Sequence, residues 1–391
     1  MNGAYPGWKT STRKSLSRMN INKSLPTPYY LIDEGKLLHN LAIIDDIRVR
    51  SGAKILLAQK AFSSFYFYPL LSKHLDGTTA SGLYEARLGY EEFGKEVHVF
   101  APAFKDDDFN ELMKYAGHIV FNSKAQLMKY KDIALRLGKT IGVRINPEIS
   151  TQTHAMYDPC SPNSRMGIKI SDFDKDILDN ITGLHFHTLC QQNADALEIT
   201  LKEVEAKFGK YFSKLKWLNF GGGHHITRSD YDVERLINII RHYKEKYHLD
   251  IYLEPGEGIV LNAGYLVSTI LDIVHNGIDI AILDTSATCH MPDVLEMPFT
   301  PPVVGTNPTG KYLYRFAGNT CLSGDNIGQY RFDKPLSVGD TVVFLDMALY
   351  TIVKNTTFNG IPLPSIYALK TDGSYELVKK FGYLDFKGRL S

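Results

Sequence analysis

From residue 54 to residue 254, short β-rich runs alternate with longer segments whose apolar residues recur at three- and four-residue spacing. The strand candidates are KILLAQ (54–59), GTTA (77–80), VHVFA (97–101), HIVFN (118–122), TIGVRIN (140–146), TGLHFH (182–187), KWLNF (216–220) and DIYLE (250–254). Between them LYEARLGYEEFG (83–94), KAQLMKYKDIALRLG (124–138), DALEITLKEVEAKFG (195–209) and DYDVERLINIIRHYKEKY (230–247) carry the helical period. Eight βα units in about 200 residues match a (β/α)8 barrel.

Beyond Gly258 the texture changes. VSTILDIV, DIAILDTS, YLYRFAG, DTVVFLD and YTIVKNTTF are short β-rich runs separated by Gly, Pro and Asn, with little helical period. The pattern predicts an α/β chain: a leader over 1–24, a TIM-like barrel over 25–262 and a C-terminal all-β domain over 263–391, with 25–33 associating with the latter.

Composition narrows the class. The chain has 391 residues, 44% hydrophobic and 22% charged, which suits a globular protein with a large core. Lys+Arg at 44 against Asp+Glu at 43 gives a net charge of +1, so no global field favours nucleic acid or an anionic membrane. The four cysteines, Cys160, Cys190, Cys289 and Cys321, lie far apart without a Cys-x-x-Cys pair, which fits a reducing cytoplasm. No run approaches the roughly 20 apolar residues of a membrane helix. Lys9, Arg13, Lys14 and Arg18 are followed by no apolar export segment, so the leader is read as a mobile extension with Met19 a candidate start.

Chemistry in such barrels gathers at the C-terminal strand ends. The first strand ends at Lys60 and the second is followed by Ser81. The fifth carries Arg144, the sixth ends His185-Phe186-His187, the seventh runs into Gly221-Gly222-Gly223 and the eighth ends Glu254-Pro255-Gly256-Glu257-Gly258. A partly desolvated lysine favours its neutral amine and can form a Schiff base with an aldehyde. Glycine turns directly after strands expose N–H groups that suit a phosphate. Taken singly each has a bland alternative: a snorkelling lysine, a tight turn, a core histidine, a carboxylate paired with Arg144 or Arg165. Together the amine, phosphate cradle, inward carboxylate and flat imidazole match pyridoxal 5′-phosphate.

LLAQKAF around Lys60, GLHFHT around His187, FGGG (220–223), EPGEG (254–258), CLSGD (321–325) and DMALYT (346–351) occur in the order found in the fold-III pyridoxal-phosphate decarboxylases of basic amino acids, which the chain resembles over about residues 25–385. The resemblance implies an alanine-racemase-like barrel followed by a β domain, carboxy-lyase activity, and a homodimer whose active sites are shared. It also implies roles. Lys60 would hold the cofactor aldehyde, His187 stack on its ring, Gly221, Gly222, Gly223 and Gly256 cradle its phosphate, and Glu254 pair with the ring nitrogen. Cys321 would be donated across the interface as proton source, Tyr350 would lie near the phosphate, and Asp325 would help shape the substrate site. A carboxylate at the ring nitrogen keeps it protonated and favours loss of the α-carboxylate.

Departures from the relatives narrow the substrate. Diaminopimelate decarboxylases continue EPG with Arg where this chain has Glu257, which would repel a second carboxylate. The acidic residue that follows the cysteine in ornithine and diaminopimelate decarboxylases is Leu322 here. Both point to a carboxylated polyamine such as carboxynorspermidine or carboxyspermidine, with Asp293, Glu296, Glu257 and Asp325 as candidates to meet its ammonium groups. Three rivals stay open at this level: another basic amino acid (diaminopimelate, ornithine or arginine) as substrate, a non-catalytic regulator, and a metal-dependent barrel using His185, His187, His224 and His225.

Overall fold

The computed structural model describes residues 21–152 and 158–391, so residues 1–20, most of the expected leader, lie outside the described residues. Two compact units emerge, one of residues 39–259 and one of the chain up to Leu38 together with Val260–Ser391. The first strand, β1 (Tyr29–Asp33), belongs to the second of these.

Eight parallel strands close the barrel in sequence order: β2 (Lys54–Ala58), β3 (Gly77–Ala80), β4 (Glu96–Phe100), β5 (His118–Phe121), β6 (Thr140–Arg144), β7 (Gly183–His185), β8 (Trp217–Asn219) and β9 (Asp250–Leu253). Ile55, Leu56, Leu57 and Ala58 are all buried, the mark of a strand covered on both faces. Two glycines make room inside. A Cβ at Gly183 would lie 2.0 Å from the Trp217 ring, and one at Gly142 2.3 Å from it, so the indole fills space that no side chain could share. Outer helices include α1 (Lys124–Arg136), α2 (Ala194–Phe208) and α3 (Val233–Tyr247). Ser123 caps α1 by accepting from the Gln126 N–H, and Asp232 caps α3 by accepting from that of Arg235.

The second unit is built on a mostly antiparallel sheet of β10 (Gly264–His275), β11 (Asp279–Leu283), β12 (Tyr312–Ala317), β13 (Asn326–Phe332), β14 (Thr341–Leu345), β15 (Ser365–Leu369), β16 (Tyr375–Lys379) and β1. Here β1 pairs antiparallel with β10 and parallel with β15. One expected strand is absent. YTIVKNTTF begins at Tyr350 with φ of +47° and coils through turns, with Thr351 Oγ1 donating to the Met347 carbonyl at 2.6 Å and the Lys354 N–H to that of Thr351. Three further strands, β13, β15 and β16, lie outside the runs expected from the sequence: β13 (NIGQYRF) and β16 (YELVK) mix polar with apolar residues, while β15 (SIYAL) is apolar but short. Among the described residues no helix is long and apolar enough to cross a membrane.

Candidate active site

At the C-terminal end of the barrel Lys60, Arg144, His185, His187, Gly222 and Glu254 line one pocket. Lys60 follows Gln59, whose side chain is fully buried and pinned. Its Nε2 donates to the Glu85 carbonyl at 2.8 Å, and its Oε1 accepts from the Tyr68 hydroxyl at 3.0 Å. The lysine therefore springs from a fixed strand end. It is open to the pocket but ringed by protein atoms, and this desolvation, with Arg144 adding to it and Glu254 opposing, lowers its pKa below the ordinary lysine value.

Glu254 is gripped at both oxygens. Asn219 Nδ2 donates to Oε1 at 2.8 Å, and His185 Nε2 lies 3.4 Å from Oε2. Burial alone would push its carboxyl up, but His185 and Asn219 outweigh that and hold its pKa at about 2, so it is an anion at neutral pH. Asn219, fully buried, also accepts from the Gly221 N–H at 2.8 Å, which ties the glycine turn to the carboxylate. His187 Nδ1 accepts from the Gly222 N–H at 2.9 Å. Desolvation, with the nearby positive charges of Lys60 and Arg144, keeps the imidazole neutral, so its remaining proton sits on Nε2. Arg144 donates to the His187 carbonyl at 2.9 Å and lies over the Phe100 ring, which in turn stacks on His185 with centroids 5.5 Å apart.

Two amides of the glycine turn have partners within the protein. The N–H groups of Gly221 and Gly222 are spent on Asn219 and His187. Close packing still demands glycine. A Cβ at Gly222 would meet the Glu254 carbonyl at 2.3 Å, and one at Gly223, where φ is +80°, would meet the Leu189 carbonyl at 1.9 Å. A reactive amine, a neutral flat ring, a buried anion and a glycine-walled turn in one pocket fit pyridoxal 5′-phosphate.

Other predicted positions have partners of their own. Glu257 Oε2 accepts from His225 Nε2 at 2.7 Å and from Gln191 Nε2 at 2.9 Å. In the sheet unit Lys354 pairs with Asp293 and Glu296. Asp325 is buried, its oxygens accepting from Thr320 Oγ1 at 2.6 Å and the Thr288 N–H at 3.2 Å, so it shapes the loop of Cys321. Cys321 is exposed, its N–H donating to Asn359 Oδ1 at 2.8 Å, and Tyr350 is half-buried. Asn219 and Phe100 escaped sequence reasoning. Each closes a barrel strand, which was the signal available.

The four histidines of the metal reading do not share a centre: His185 faces Glu254, His187 binds Gly222, His224 Nδ1 lies 3.4 Å from the Tyr231 hydroxyl and His225 binds Glu257. Among the described residues, one group has its donor atoms within 4.8 Å of one another: Glu96 and His118, which open β4 and β5 at the N-terminal side of the barrel, and His98 in the middle of β4. Those two imidazoles stack with centroids 3.9 Å apart and planes 13° apart, so their lone pairs run side by side rather than converge.

Residues 29–348 match the family described as pyridoxal-dependent decarboxylase, C-terminal sheet domain. The chain is 43% identical over 380 residues to the carboxynorspermidine/carboxyspermidine decarboxylase of Campylobacter jejuni, covering 94% of this chain and 99% of that one. It is 42% identical over 371 residues to a carboxyaminopropylagmatine decarboxylase of Synechocystis, covering 94% and 96%. A solved carboxynorspermidine decarboxylase complexed with norspermidine, from Campylobacter jejuni, superposes with a TM-score of 0.87 at 42% identity, covering 93% of this chain and all of that one. Agreement of this depth across both units, with the barrel-mouth chemistry in place, means that the chain belongs to the fold-III pyridoxal-dependent decarboxylases, in the company of the carboxynorspermidine/carboxyspermidine decarboxylases.

Proposed function

We propose that this chain decarboxylates carboxynorspermidine and carboxyspermidine to norspermidine and spermidine in polyamine biosynthesis, using pyridoxal 5′-phosphate, as a cytoplasmic homodimer with shared active sites. The observation that carries the substrate class is the 43% identity, at near-complete coverage, to a decarboxylase of that name. The four free cysteines suit a reducing compartment.

When bound, the cofactor supplies an electron sink for the pair left at Cα as the bond to the carboxylate breaks. Lys60 would provide the amine for its aldehyde, and the lowered pKa favours the neutral, nucleophilic form of that amine. His187 offers a neutral ring face held flat by the Gly222 N–H. Glu254, as an anion, favours a proton on the ring nitrogen it pairs with. Gly223 and Gly256 would hold the phosphate. CO2 would leave and one proton take its place at Cα, donated by Cys321 of the partner subunit, a role open to an exposed thiol.

Glu257 is the carboxylate best placed to meet a substrate ammonium, since it follows Glu254-Pro255-Gly256 directly at the barrel mouth, with His225 and Gln191 fixing its orientation. Asp325 acts by shaping the Cys321 loop, and Asp293 already shares its charge with Lys354. A second reading has a specific basis: the carboxyaminopropylagmatine relative is nearly as similar, and its substrate ends in a guanidinium rather than an ammonium group. CO2 release measured side by side on carboxynorspermidine, carboxyspermidine, carboxyaminopropylagmatine, diaminopimelate, ornithine and arginine decides among these. Best turnover of the first two supports the proposal; preference for the guanidinium substrate overturns it and leaves the cofactor chemistry standing.

A further inference from the structure

His185 ends β7 and His187 lies two residues beyond it; both line the pocket, with the fully buried Phe186 between them. Only His187 has a ring nitrogen in a hydrogen bond of ordinary length, to Gly222. His185 is 2% exposed, and neither of its ring nitrogens finds a partner closer than Glu254 Oε2 at 3.4 Å. A buried imidazole with nothing else to bind costs stability unless that one contact matters. Its ring cannot swing away, because Phe100 stacks on one face and is itself covered by Arg144.

Two cations compete for the same carboxylate. Lys60 and Arg144 both lie close enough to Glu254 to interact electrostatically, and either could draw it aside into an ion pair. We infer that His185 is a positioning residue for Glu254: with Asn219 on the other oxygen it forms a two-point clamp that keeps the carboxylate turned from Lys60 and Arg144 and aimed at the ring nitrogen of the cofactor. The 3.4 Å separation is the loose geometry expected before a bound partner tightens the site. The groups facing His185 are Glu254 just beyond β9, Arg144 from β6 and Lys60 beyond β2. This inference rests on the pairing of Glu254 with the ring nitrogen proposed above.

The test uses holoenzyme reconstituted with cofactor labelled with 15N at the ring nitrogen, whose chemical shift reports protonation there. His185→Phe keeps an aromatic ring against Phe100 but removes the donor. It is expected to move the shift toward neutral pyridine and lower kcat by about ten- to a hundredfold, reaching at most the lower limit of the range for one positioned donor, with KM changed less than about threefold. His185→Gln, which retains an N–H, should recover most of both. If the phenylalanine variant fails to fold, His185→Asn, whose amide is too short to reach Glu254, gives the same reading. A wild-type shift and kcat in His185→Phe or His185→Asn, neither of which can donate to Glu254, while Glu254→Gln alters both, overturns the role of His185 and leaves that of Glu254 intact. A wild-type shift in Glu254→Gln itself overturns the underlying pairing.

Discussion

The backbone N–H of Gly222 donates to Nδ1 of His187 at 2.9 Å, so the turn expected to hold phosphate also sets the tautomer of the imidazole beside it. With Nδ1 an acceptor and the ring neutral, His187 presents an aromatic face rather than a cation. The same turn cannot carry a side chain. For Gly222→Ala, the new Cβ would lie 2.3 Å from the Glu254 carbonyl. We expect a loss of about 1–3 kcal/mol in stability and weaker cofactor binding, read by urea unfolding and equilibrium dialysis. Wild-type values in both would mean that the turn has slack the structure does not show.

Lys60 is expected to be the point of cofactor attachment. Borohydride reduction of the holoenzyme followed by peptide mapping should place the added mass on Lys60, and Lys60→Ala should lack the yellow absorbance of the native protein. Label on any other lysine refutes the assignment.

Glu254→Gln should fold and bind cofactor, since the amide oxygen can still accept from Asn219. Decarboxylation should fall by about two to four powers of ten, because a neutral amide does not favour the protonated ring nitrogen. Turnover within tenfold of wild type would contradict the electron-sink role.

Shared active sites predict complementation. Lys60→Ala and Cys321→Ala proteins, each inactive, should regain activity when mixed and allowed to exchange subunits. Half of the dimers are then mixed and each has one intact site of two, which sets a ceiling of about a quarter of wild-type activity. Recovery no greater than background after demonstrated exchange would show that each chain supplies its own cysteine.

Acid should weaken the fold before it reaches the carboxylate range. Burial depresses His118 to about 3, with His98 adding to the effect, and His224 to about 4. Between about pH 6.5 and pH 4 the unfolded chain therefore binds protons at these two imidazoles that the folded chain does not. Their contribution is complete above pH 6.5 and declines as the pH falls, by up to about 1.4 kcal/mol per pH unit for each. Urea unfolding at pH 7.5 and pH 5.5 measures this, and His224→Gln should flatten the slope. A fold equally stable at both values would sink the idea.

The βα alternation, Lys60, His187, Glu254 and the glycine turn were all legible in the chain. A parallel barrel sends every strand end to one mouth, so a residue's place relative to its own strand determines what it can meet. Tertiary structure alone decided the rest, because contacts across strands leave no local period. Asn219 meets Glu254 from the adjoining strand and His185 from the one beyond it, and the Gly221 and Gly222 amides turn inward to Asn219 and His187. Likewise, Tyr29 pairs with Val267 and Ser365, partners remote in sequence, while YTIVKNTTF, rich in β-formers, is drawn into turns once Tyr350 takes a positive φ. Local propensity is worth tenths of a kcal/mol per residue, and packing against distant neighbours overrides it.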